Sequence, residues 1–197
     1  MGEGTRHEKE AIEAACPCGN ARLRIHAPPR FRMYCHCTIC QRFNQAPFAD
    51  VLVYRARDVD LPESGAVEFD TYKPPPNVER GKCTVCGAAA VETFHATLLP
   101  KLTMVPRAML PANADLPEPV AHFFYETRVE NAEDGLPQHE GFRPSQWAFL
   151  KNYLTARGEG QRLSSAALDL TGGIGVAKPS GESNVSCEAF VRAVSES

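Results

Sequence analysis

Seven of the eight cysteines in this 197-residue chain fall between Cys16 and Cys86, in three short clusters. They read Cys16-Pro17-Cys18-Gly19, Cys35-His36-Cys37-Thr38-Ile39-Cys40 and Cys83-Thr84-Val85-Cys86-Gly87. In a C-x-x-C turn both sulfurs face one point, and a following glycine lets backbone amides approach the thiolates. Such a knuckle presents two ligands at the spacing a tetrahedral zinc ion requires, with Zn–S bonds of about 2.3 Å. A single knuckle is weak evidence; two C-x-C pairs and two C-x-x-C pairs in one short stretch are strong evidence. The charged opening, Met1 to Glu10, has no apolar stretch of the kind a secretory signal carries. A reducing, cytoplasmic compartment is therefore expected, where clustered cysteines bind metal rather than pair as disulfides.

Seven ligands divide into four and three. Four thiolates close a tetrahedron and make a structural site; three leave a position open for water or substrate. Cys16 and Cys18 with Cys83 and Cys86 would tie the first strand to a distant hairpin. Metal binding would then oppose the entropy of a long loop and contribute to folding directly. Cys35, Cys37 and Cys40 remain as a compact set able to hold a second metal. A ribbon-like alternative pairs Cys37 and Cys40 with Cys83 and Cys86 and leaves Cys16 and Cys18 spare. His36 is a candidate fourth ligand, but in an extended segment it projects away from Cys35 and Cys37, which favours packing or hydrogen bonding on the other face. Cys187 has no neighbouring ligand and reads as an incidental thiol.

Around the metal candidates, composition narrows the architecture. With 16 prolines and 14 glycines, long helices are disfavoured in the middle of the chain and short strands favoured. Leu23 and Ile25 alternate with Arg22, Arg24 and His26, a half-buried strand stopped by Pro28-Pro29. Phe48 to Tyr54 reads as a mostly buried strand, and Val67 to Tyr72 alternates until Pro74-Pro75-Pro76. Ala88 to His95 and Val120 to Val129 are further strand candidates. Together they predict a small antiparallel β domain from about Ile12 to Glu130. Gln146 to Ala156 carries Trp147, Leu150, Tyr153 and Leu154 at helical spacing, which predicts one amphipathic helix packed on that domain. From Gly158 the chain is rich in Gly, Ser and small residues and reads as poorly ordered, with a last turn of helix near Cys187 to Val194.

The net charge of −3 excludes a broadly basic nucleic-acid surface, and no apolar run approaches the roughly 18 to 20 residues of a membrane span. Neither a nucleic-acid nor a membrane partner is expected. Locally, however, Arg22, Arg24, Arg30, Arg32 and Arg42 lie between Asn20 and Ala49 with no Asp or Glu among them, and Arg80 and Lys82 flank the last knuckle. These cations either offset the negative charge of metal–thiolate centres or receive a small anionic substrate beside the open metal. Phe31, Tyr34, Phe43 and Phe48 surround the second cluster and read as core. The chain shows no Ser-His-Asp arrangement, phosphate loop or zinc-protease motif, and Gly172-Gly173-Ile174-Gly175 lacks a preceding strand.

The ordered set Cys16-Pro17-Cys18-Gly19, Cys35-His36-Cys37-x-x-Cys40-Gln41-Arg42 and Arg80-x-x-Cys83-x-x-Cys86-Gly87 resembles the glutathione-dependent formaldehyde-activating family, which includes the centromere protein V-type domain. Ala46-Pro47-Phe48-Ala49 and His122-Phe123-Phe124 match as well. The resemblance covers roughly Ile12 to His139. It implies a mainly β fold with a zinc ribbon-like core over residues 12–139, followed by an extension over 140–197. It implies two zinc ions per chain, one on Cys16, Cys18, Cys83 and Cys86, the other on Cys35, Cys37 and Cys40 as an open catalytic site. The implied activity is carbon–sulfur lyase chemistry of the S-(hydroxymethyl)glutathione synthase kind, joining formaldehyde to glutathione or a similar small thiol. A non-catalytic zinc module that binds a protein partner is the alternative. Three positions depart from the family pattern: Gln45 stands where a glycine usually follows the second cluster, Lys82 where an aromatic precedes the last knuckle, and Ala88 where a small polar residue follows it.

Overall fold

The computed structural model describes residues 11–73, 77–95 and 100–156, all within a compact unit that runs to residue 160. The expectations for the N-terminal arm, Pro74-Pro75-Pro76, Cys187 and the C-terminal tail lie outside these residues. Eleven strands and two helices alternate along the described chain. The strands are β1 (Ile12–Ala15), β2 (Arg22–Ile25), β3 (Phe31–Cys35), then after helix α1 (Thr38–Asn44), β4 (Ala49–Arg55) and β5 (Val59–Asp60). There follow β6 (Val67–Asp70), β7 (Val78–Cys83), β8 (Ala89–Phe94), β9 (Leu102–Pro106), β10 (Pro119–Phe123), β11 (Gln138–His139) and helix α2 (Phe142–Thr155). The protein is mainly β, as its prolines and short apolar runs predict. No helix among the described residues is long and apolar enough to cross a membrane.

Two sheets form. A small one runs β1-β2-β5, and a large open one runs β11-β10-β3-β4-β9-β8-β7-β6. Most neighbours are antiparallel, but β10 lies parallel to both β3 and β11, with His122 opposite Tyr34 and Phe123 opposite Cys35. The large sheet is therefore mixed. Strand β4 is central and covered on both faces, which explains its nearly unbroken apolar run. Its alternate residues divide between two cores: Leu52 and Tyr54 join Cys16, Leu23, Ile25, Cys83 and Val91. Val51 and Val53 join Phe31, Cys35, Cys40, Phe123 and α2. One cysteine cluster borders each core.

Two elements, β10 and α2, differ from the expectation in instructive ways. The β10 candidate ends at Phe123, because Phe124 takes a left-handed conformation (φ 55°) and turns the chain. Helix α2 starts at Phe142, with Pro144 tolerated in its first turn, where the missing N–H has no helical partner. The helix packs through Ser145, Ala148 and Tyr153, whereas Trp147, Leu150 and Leu154 face outward, so the buried stripe is rotated from the predicted one.

Candidate metal centre

The first and third clusters sit on two turns built alike. The turn after β1 closes with the Gly19 N–H donating to Cys16 O at 2.8 Å, and the turn after β7 with the Gly87 N–H donating to Cys83 O at 2.9 Å. Five residues on from each first cysteine, the chain returns: Cys16 N–H donates to Ala21 O at 3.0 Å, and Cys83 N–H to Ala88 O at 2.9 Å. Both glycines have positive φ, 75° and 70°, where a side chain would strain the turn. The turns meet so that the sulfurs of Cys16, Cys18, Cys83 and Cys86 all lie within 4.8 Å of one another. Cys16 Sγ is 3.4 Å from Cys18 Sγ, and Cys18 Sγ is 3.7 Å from Cys83 Sγ. A tetrahedron with 2.3 Å bonds has edges of about 3.8 Å, so four sulfurs at this spacing fit a zinc ion.

Polar groups approach these sulfurs in the manner thiolates require. The Ala21 N–H donates to Cys16 Sγ at 3.3 Å, and Asn20 Nδ2 donates to Cys83 Sγ at 3.6 Å. The Cys83 thiol is drawn down to about 5, first by the Cys86 backbone amide, with the Val85 amide and Asn20 adding to it. At Cys18 the Asn20 amide acts in the same sense, but hydrogen bonding with Cys16 and burial outweigh it and push the thiol up to about 12. Four thiols this close share their charge unequally unless a cation lies among them.

The second cluster is local. Cys35 ends β3, Cys37 caps the N-terminus of α1, and Cys40 lies one turn into that helix. Their sulfurs also lie within 4.8 Å of one another. The Cys37 sulfur accepts from the Cys40 N–H at 3.3 Å, the place a serine or aspartate oxygen usually takes at a helix start. Hydrogen bonds from the Cys35 and Cys40 thiols draw the Cys37 thiol down to about 3, helped by the Cys40 amide and the Arg80 charge. Cys35 is pushed well above the ordinary thiol range first by Cys37, although Cys40 opposes this, and Cys40 is pushed up first by Cys35 and Cys37. A divalent cation among the three sulfurs would let all three ionise.

The structure thus gathers the seven cysteines as four and three, and not as the ribbon-like alternative. His36 stays apart from the three sulfurs. Its ring points to the other side, with Nε2 2.8 Å from His122 Nδ1, and burial drives its basicity down to about 4. Cys187 is outside the described residues.

The run of arginines disperses. Arg24 pairs with Glu13 at 2.8 Å, Arg32 forms two bonds to Asp50 at 2.8 and 2.6 Å, and Arg30 bonds Tyr153 O at 3.1 Å. Arg42 and Arg80 instead stack on Tyr72, at 4.9 and 5.8 Å from its ring centre, and Lys82 lies 5.9 Å from the Phe43 ring. Lys82 thus meets an aromatic of α1. Arg80 is buried and lies 2.8 Å from Glu92, which is 2% exposed. Burial pushes the Glu92 carboxyl up to about 7 despite Arg80, and the Cys37 charge adds to the rise. Glu92, Asp134 and Thr127 escape a sequence reading because their partners are distant in the chain. Of the predicted aromatics, Phe31 and Phe43 are buried, whereas Phe48 is 38% exposed.

Two cysteine clusters, one of four sulfurs bridging the two sheets and one of three at the end of β3, define a mainly β protein with two groups of thiols that could each hold a metal ion. Residues 11–127, more than half of the chain, match the family of glutathione-dependent formaldehyde-activating enzymes, and the chain belongs to that family. A crystal structure of a Rhodobacter sphaeroides protein is similar over 53% of this chain and 92% of that one, at 17% identity and a TM-score of 0.43. No curated protein matches the sequence.

Proposed function

We propose that this protein is a zinc-dependent enzyme of the carbon–sulfur lyase type, acting on the adduct of a small, glutathione-like thiol with a small carbonyl compound such as formaldehyde. In the forward sense the thiol adds across the carbonyl: a C–S bond forms, the C=O π bond opens, and the thiol proton ends on oxygen. Nothing is oxidised or reduced. A zinc ion held by Cys35, Cys37 and Cys40 would leave a fourth position where a thiol sulfur binds and ionises at neutral pH. The observation that carries this reading is the three-sulfur cluster, with the Arg80 charge acting on Cys37, in a chain of this family. Arg42 and Lys82 offer positive charge to the carboxylates of a glutathione-like thiol, and Arg80, steadied by Glu92, favours the thiolate form at Cys37. Cys16, Cys18, Cys83 and Cys86 would hold the second zinc and fix the hairpin on which Arg80 and Lys82 sit.

The test is exchange of labelled formaldehyde with its glutathione adduct, followed by NMR with the zinc-loaded full chain. The parent should accelerate exchange, and Cys37→Ala should not. A parent that leaves the exchange at its uncatalysed rate would favour a zinc module that binds a protein partner.

A further inference from the structure

The second cluster is built on a single junction residue. His36 lies between the last residue of β3 and the cap of α1, so its orientation sets the directions of the Cys35 and Cys37 side chains on either side. Its N–H donates to Phe123 O at 2.9 Å, and its carbonyl accepts from Gln41 Nε2 at 2.6 Å and Thr127 Oγ1 at 2.8 Å. The remaining hold is the ring, buried at 3% exposure, with Nε2 2.8 Å from Nδ1 of His122. His122 is itself 2% exposed, and its Nε2 lies 3.1 and 3.0 Å from the two oxygens of Asp134.

The order of protons along this chain follows from its outer end. A carboxylate only accepts, so Nε2 of a neutral His122 carries the hydrogen and leaves Nδ1 as a lone pair. That lone pair accepts from His36 Nε2–H. His36 Nδ1 is then a bare, buried lone pair, and it has no hydrogen-bond partner among the described residues. Tyr125 and Phe48 pack on the His36 ring at 5.1 and 5.4 Å, and Tyr34 packs on His122 at 5.2 Å. Ring packing restricts tilt, but only the hydrogen bond fixes which edge of His36 faces inward.

We infer that His122, oriented by Asp134, is a positioning residue for the three-cysteine cluster and acts through His36. The inference rests on the reading that Cys35, Cys37 and Cys40 hold a metal ion. Groups hydrogen-bonded to the ligands of a metal site typically change metal affinity about 10- to 100-fold when removed, and that range sets the scale for a group acting through the residue between two ligands. The four-cysteine site lies outside this chain of bonds and serves as an internal control.

The experiment loads the full chain and its variants with cobalt(II), records the thiolate charge-transfer and ligand-field bands, and titrates each with a competing chelator. His122→Phe keeps an aromatic ring but neither donates nor accepts. His122→Gln offers an acceptor to His36 and a donor to Asp134. The expected result for His122→Phe is a roughly 10- to 100-fold weaker second cobalt with altered ligand-field bands, and an unchanged first cobalt. His122→Gln should restore most of that loss. Asp134→Ala, at a half-exposed side chain, should weaken the same cobalt and supplies a second test should His122→Phe not fold. A His122→Phe protein with parental spectrum and affinity overturns the inference, as does a His122→Gln protein no better than His122→Phe. An Asp134→Ala protein that holds both cobalt ions as the parent does also overturns it. A parent that takes up only one cobalt overturns the metal reading beneath it, and the inference with it.

Discussion

Replacing Glu92 by Gln isolates one buried charge. Glu92 sits on β8, 2% exposed, 2.8 Å from Arg80, with its carboxyl held at about 7 against an ordinary 4.5. Burial is the dominant cause, the Cys37 charge adds to it, and Arg80 only partly offsets it. The sign follows from proton counting. Between pH 4.5 and 7 the folded protein keeps a proton that the unfolded chain has released, so this group makes stability fall as pH rises. Below that window both states are protonated, and above it both are ionised. At about 1.4 kcal/mol per pH unit, the whole window is worth about 3 kcal/mol. The amide introduced by Glu92→Gln does not titrate. Urea denaturation of the zinc-loaded parent and of Glu92→Gln, from pH 5 to pH 8, should show the difference moving in favour of the variant by up to about 3 kcal/mol. Groups common to both cancel, the exchange of a neutral carboxyl for a neutral amide enters as a constant offset, and the attraction of Arg80 for the ionised carboxylate is already contained in where Glu92 titrates. A difference that stays flat across this range, or moves in favour of the parent, would refute the claim that burial outweighs Arg80 at this carboxyl.

Four substitutions probe the scaffold. Gly81→Ala would put a methyl group inside van der Waals contact of Val67 Cγ1 and 3.0 Å from Phe69 Cε1, so stability should drop by about 1–3 kcal/mol; an unchanged Tm would contradict the close approach of β6 and β7. Gln45 holds a left-handed conformation (φ 53°) at the end of α1, where the family usually has glycine, and Gln45→Gly should stabilise by about 0.5–1 kcal/mol after its entropy cost. A Tm rise of about 1–4 °C is expected, and a fall would show that the Gln45 side chain matters more than its backbone. Cys83→Ser breaks a site that joins residues 65 positions apart, whereas Cys37→Ala breaks one closing only the five positions from Cys35 to Cys40. On loop length alone, (3/2)RT ln of that ratio makes the first loss larger by about 2 kcal/mol, and calorimetric melting that reversed this order would contradict the division into bridging and local sites.

The cysteine constellation was legible because its chemistry is local: each cluster sits in one turn, and Gly19 and Gly87 mark two of those turns in the sequence. Strand β4 was legible from its apolar run, though not its two-sided burial. Strand β3 was not read, although Phe31, Met33 and Cys35 alternate with Arg32 and Tyr34 as a half-buried strand does; Pro28-Pro29 just before it suggested a break. Helix α1 has seven residues, too few for a helical period to show, and its cap is a cysteine, which carries no usual capping signal. The parallel pairing of β10 with β3 joins segments with most of the fold between them, which local patterning does not encode. For the same reason His122 read only as part of a matching strand, and Glu92 as one polar residue in an apolar one. The arginines show the opposite error: five neighbours in sequence looked like one patch, and the fold sends Arg24 and Arg32 to separate carboxylates.

The central claim is that the second cluster holds a metal with a position left for an external thiol. Isothermal titration of glutathione into the full chain, with its zinc content measured on the same sample, tests this most directly. The account predicts two zinc ions per chain, one glutathione bound per chain, and no glutathione binding by Cys37→Ala, which should retain about one zinc. A parent that carries two zinc ions and binds no glutathione would contradict it.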